Sequence, residues 1–95
     1  MSIDRIKPKP VRIRVYGLLY TWLSSRKEKN TQLSLHLSEQ AALEAMKKII
    51  RSQTGGATVV KRNKDSDLLT LADAWEEYTD HAETFAFYRC AIDVE

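Results

Sequence analysis

From Val11 to Leu23 the chain alternates. Val11, Ile13, Val15, Leu19 and Leu23 lie on one side, and Arg12, Arg14, Tyr16, Leu18, Tyr20 and Trp22 on the other. A period of two in β-branched and aromatic residues predicts a long strand, with Gly17 a candidate bulge. Residues 24–30 are polar throughout, with turn formers at both ends, and predict a hairpin connection. The return strand is expected over residues 31–37, where Leu33, Leu35 and Leu37 alternate with Gln32, Ser34 and His36.

The period then changes. Ser38 stands as an N-cap with Glu39 in the first turn, and Leu43, Met46, Ile49 and Ile50 recur at helical spacing until Gly55 and Gly56 stop the run. Residues 58–62 read as a short edge strand. Asp65, Ser66 and Asp67 offer caps for a second helix, whose Leu68, Leu71, Ala72, Trp75 and Tyr78 form one face and whose Asp73, Glu76, Glu77 and Asp80 form an acidic one. A closing strand is expected over Glu83–Val94, with Ala86, Tyr88, Cys90, Ile92 and Val94 opposite Phe85, Phe87, Arg89 and Ala91.

The order β-β-α-α-β predicts an α+β fold, a small antiparallel sheet with two helices packed on one face. The inner face is expected to hold Val11, Ile13, Val15, Leu19, Leu33, Leu35, Leu37, Tyr88, Cys90 and Ile92. The outer, solvent-facing side then shows Arg12, Arg14, Tyr16, Tyr20, Trp22, His36, Phe85, Phe87 and Arg89. Ninety-five residues with 43% hydrophobic content suit one domain over residues 11–95. Lys7, Pro8, Lys9 and Pro10 disfavour helix and mark residues 1–10 as a flexible basic arm.

Charge is divided by position. Residues 1–64 hold fourteen of the fifteen Lys and Arg and four acids, about +10, and residues 65–95 hold Arg89 against nine acids, about −8. A basic segment suits polyanions or acidic protein surfaces, and an acidic one suits basic grooves or the first segment itself. The longest apolar stretch is far short of a membrane span, and the first five residues lack the apolar run of a signal peptide, so no membrane association and a cytoplasmic location are expected. Cys90 is the only cysteine, which excludes an internal disulfide and fits a reducing compartment.

Aromatic rings interleaved with arginines on an open sheet can stack bases and hold phosphates. They also make a good protein-binding surface, and the fold or a second copy of the chain can cover them. Lys47, Lys48 and Arg51 read as a solvated helix face. Arg26, Lys27 and Lys29 project at the hairpin tip, where they can contact phosphate or an acidic patch. No motif points to catalysis, a metal or a cofactor: His36, His81 and Cys90 lack ligand spacing, and Cys90 reads as a small buried hydrophobe.

The run from Tyr20 to Leu23, a charged turn, the segment from Leu33 to Ala45, the acidic helix from Ala74 to Phe85 and the closing strand together resemble short orphan proteins of phages and mobile elements. Some of these are inhibitors of bacterial defence systems, including anti-CRISPR proteins, and usually act by occlusion. The resemblance implies a non-enzymatic inhibitor in the host cytoplasm that binds a protein or nucleoprotein complex. Its expected contacts are Arg12, Arg14, Tyr16, Tyr20, Trp22, Arg26, Lys27, Lys29, Phe85, Phe87 and Arg89. A small single-stranded nucleic-acid-binding domain and a structural homodimer with paired sheet faces stay open as alternatives.

Overall fold

A computed structural model describes residues 11–94, so the arm expected over residues 1–10 lies outside the described residues. The first strand, β1 (Val11–Leu23), is the centre of a three-stranded antiparallel sheet. The strand β2 (Lys29–His36) lies on one side of it and β3 (Glu83–Val94) on the other. Between β2 and β3 in sequence come α1 (Glu39–Arg51), α2 (Gly56–Arg62) and α3 (Leu68–Tyr78), which cover one face. The α+β class expected from the pattern is the one observed, with three helices in place of two.

Caps define the helix starts. Ser38 accepts a hydrogen bond from the Ala41 amide at 3.0 Å, and Asp67 accepts one from the Thr70 amide at 2.8 Å, each satisfying an amide that the first turn leaves unpaired. The extra helix occupies the segment expected as an edge strand. Packing overrides the β propensity of Thr58, Val59 and Val60, because a helical turn buries Val59 and Val60 together in the helical core. The turn into it depends on Gly55 at φ +78° and on Gly56, where a Cβ would lie 1.6 Å from the Ile50 carbonyl oxygen.

The core consists of Leu18 together with Ala42, Met46, Ile50, Val59, Val60, Leu68, Leu71, Ala72 and Trp75, with Tyr16, Phe85 and Phe87 packed against it. The helices therefore sit on the side of β1 that carries Tyr16, Leu18, Tyr20 and Trp22, the reverse of the expected arrangement. Ile13, Leu33, Leu35, Tyr88 and Ile92, expected inside, are exposed, and so is Cys90. Tyr78 is also more than half exposed, although its ring stacks on that of Trp75 at 5.3 Å.

One carboxylate decides this choice of side. Glu83, the first residue of β3, accepts hydrogen bonds through Oε1 from the Tyr20 hydroxyl and from the Trp75 indole Nε1–H, the latter at 3.1 Å. Trp75 is buried to 1% exposure and Tyr20 to 7%, so both donors have left bulk water and need a partner. Rings extend the same face, Tyr20 stacking on Phe85 and on Trp22 at 4.9 Å and Tyr16 on Phe87 at 5.8 Å.

Burial raises the Tyr20 hydroxyl well above the ordinary tyrosine value, helped by the hydrogen bond to Glu83 and by its charge. The neutral phenol is the form the fold favours. Its contribution is complete below the unfolded tyrosine value of about 10 and is lost as pH rises from there toward the folded value. Tyr20→Phe is expected to cost about 1 kcal/mol at neutral pH, and Glu83→Ala, which strands two donors, about 2 kcal/mol or more. Thermal melts of wild type and Tyr20→Phe from pH 8 to 11 check the assignment: wild-type stability should fall more steeply above about pH 10.

Candidate binding surfaces

Pairing of β1 with β2 stops at Tyr16 and His36, whereas pairing of β1 with β3 runs on to Val11 and Val94. Beyond Tyr16 the sheet therefore narrows to a two-stranded ribbon. Arg12 and Arg14 lie on the helix-facing side of that ribbon by alternation from Tyr16, and Arg89 is in register with Tyr16 on the same side. All three arginines are exposed. The Arg89 guanidinium lies 3.4 Å from both carboxylate oxygens of Glu39 and 5.7 Å from the centre of the Phe87 ring. A shallow depression forms there, lined by Arg14, Tyr16, Arg89, Cys90 and Ala91.

The second basic cluster is the hairpin tip. Lys27 N–H donates to the Ser24 carbonyl at 2.8 Å and Ser24 N–H to the Glu28 carbonyl at 2.9 Å, which closes a three-residue loop. The Ser24 hydroxyl accepts from the amides of Arg26 and Glu28 at 3.3 and 3.2 Å. Lys27 takes the left-handed position of this loop at φ +60°, where glycine or asparagine is usual. Arg26, Lys27 and Lys29 are all exposed.

These residues do not form the single aromatic and basic patch that the alternation suggested. Tyr20 is buried, Tyr16, Phe85 and Phe87 are half-buried against the helical core, and Trp22 is half-buried against the Tyr20 ring. The cationic residues of this set divide into two clusters at opposite ends of β1, on the order of 40 Å apart for a 13-residue strand. The acidic residues form a third surface: Asp73, Glu77 and Asp80 are exposed on or just beyond α3, with Glu76 half-buried.

The few chemically reactive side chains are kept apart. Because β1 separates β2 from β3, His36 and Cys90 are not on neighbouring strands, and they also face opposite sides: His36 is in register with Tyr16, and Cys90 with Val15. His36, expected to point outward, is half-buried with Nε2 2.8 Å from the Ser34 hydroxyl. His81 lies in the turn after α3 at φ +64°, 3.5 Å from a Glu76 carboxylate oxygen. Among the described residues no group of three His, Cys, Asp or Glu side chains is placed to hold a metal ion, and no helix is long and apolar enough to cross a membrane.

The surface that the alternation missed is the uncovered side of the sheet. Ile13, Leu23, Leu33, Leu35, Tyr88 and Ile92 are exposed there, and Lys29 at its end is the one charged residue in register with them. The apolar repeat of β2 and the second half of β3 was visible in sequence. An apolar stripe on a strand normally marks the buried side, and here it marks the uncovered one.

Comparison with known proteins gives no match to a family model, to a curated protein or to a solved structure.

The left-handed Lys27 provides a test of the tip. A glycine there removes the Cβ clash of a positive φ, so Lys27→Gly is expected to raise stability by up to about 1 kcal/mol, measured as a higher denaturant midpoint with unchanged slope.

Proposed function

We propose that this chain is a non-enzymatic binding protein of the phage or mobile-element type, which inhibits a host defence complex by occluding a nucleic-acid or subunit surface. The observation that carries the reading is the separation of charge onto different elements. Cationic side chains stand at both ends of β1, and carboxylates line the outer side of α3.

A nucleoprotein effector presents two kinds of charged surface, the phosphates of its bound strand and the basic groove that receives a target. Guanidinium groups on the ribbon fit the phosphates or an acidic subunit patch, and the α3 carboxylates fit the groove. Arg12, Arg14 and Arg89 with the tip residues Arg26, Lys27 and Lys29 are the contacts on this reading. The rings of Tyr16, Tyr20, Trp22, Phe85 and Phe87 act from beneath, by holding the strands that carry those cations.

The experiment is a pull-down of tagged protein from bacteria expressing CRISPR effector complexes, with and without nuclease and at two salt concentrations, followed by a target-DNA binding assay with the purified complex. The expected result is a nuclease-resistant effector partner that loses target binding, with Arg14→Glu/Arg89→Glu weakening capture at least tenfold. Recovery of nucleic acid alone, lost on nuclease treatment or raised salt, would overturn the reading in favour of direct nucleic-acid binding.

A further inference from the structure

We infer that the uncovered side of the sheet is a dimer interface, on which a second copy of this chain packs face to face around a two-fold axis. Gly17 lies in the middle of the central strand. Pairing is continuous through it on both sides, so it is not the bulge its sequence position suggested, and its φ lies outside the left-handed region. Space does not require glycine either. A Cβ there would meet Leu33, Leu35 and Tyr88 at ordinary contact distances of 3.7 to 3.8 Å.

A glycine inside a strand weakens it, and Gly17 is buried because Leu33, Leu35 and Tyr88 of the flanking strands lean over its backbone on the uncovered side. Those three side chains are 59%, 67% and 50% exposed and, with Ile13, Leu23 and Ile92, project from that side as one apolar face. Two copies of such a face can meet around a two-fold axis, the same patch on both.

Area supports the same occupant. At roughly 200 Å² per large side chain, the exposed fractions of Ile13, Leu23, Leu33, Leu35, Tyr88 and Ile92 leave about 600 Å² per copy. A facing pair would cover on the order of 1,200 Å², the lower bound of a stable standard interface. The face has almost no charge to recruit a polar or nucleic-acid partner. Two such sheets pack about 10 Å apart with their strands within about 30° of alignment.

The test is the mass of the full chain in solution by light scattering after size exclusion, across about 1 to 100 µM, a range that spans typical dimer affinities. Twice the chain mass is expected. Leu35→Glu and Leu33→Glu, each of which would place an unpaired charge in the interface, should each weaken the dimer about a hundredfold or more. A wild-type chain that stays monomeric throughout overturns the proposal, as does a dimer that both variants leave intact. Should both variants fail to fold, Cys90 decides. Its thiol lies on this face, so maleimide labelling of wild type should be slow at high concentration and faster on dilution, and a rate independent of concentration overturns the interface.

Discussion

The structure depends on the hydrogen bonds that Glu83 accepts from Tyr20 and Trp75. They join the start of β3, the later part of β1 and the last turns of α3 at a single carboxylate. Since side chains alternate along a strand, directing Tyr20 toward the helices also directs Tyr16, Leu18 and Trp22 there and turns Ile13, Val15 and Leu19 away. Register does the rest. Phe85 and Phe87 follow Tyr20 and Leu18 inward, while Leu33, Leu35 and Tyr88 are carried outward with Leu19 and Gly17.

The elements themselves were legible in the residues. The hairpin and closing strand follow from period two, α1 from the Ser38 cap and its apolar spacing, and α3 from Asp67 and the Leu68, Leu71, Ala72 and Trp75 face. The covered side of the sheet was not legible, because β1 is apolar on both sides and a period of two cannot tell its sides apart. Packing settles the matter. Large rings bury more area than β-branched chains, and only the ring-bearing side brings the Tyr20 hydroxyl within reach of Glu83. The helix α2 was missed for a related reason. Its β-branched residues state a local preference, and the burial that overrides it comes from α1 and α3.

Placement of the candidate contacts follows from the same inversion. With the rings turned toward the helices, the cations of the set that stay exposed are those at the two ends of β1, and a patch that looks continuous along the chain becomes two clusters on one strand. Lys27 sharpens this separation, since a left-handed lysine costs the loop conformational energy that glycine would spare it. The positive φ values of Asp80 and His81 do the same work elsewhere. They turn the chain sharply after α3, so that the His81 amide reaches the Glu76 carbonyl at 2.8 Å and Glu83 arrives beside Trp75.

A stripe of leucines on β2 with no covering layer among the described residues is hard to account for by folding alone, because a strand gains nothing from alternation unless one side leaves water. Polar residues occupy the other side of β2: Asn30, Gln32, Ser34 and His36 are in register with the helix-facing residues of β1. The pattern on β2 is therefore the reverse of what this chain by itself would favour, and it agrees with a layer supplied from outside. A two-fold layer would also duplicate the basic ribbon and tip on one rigid body. Paired sites of that kind raise the effective concentration of the second contact once the first has formed, so weak exposed arginine and lysine contacts can act together without a deep pocket.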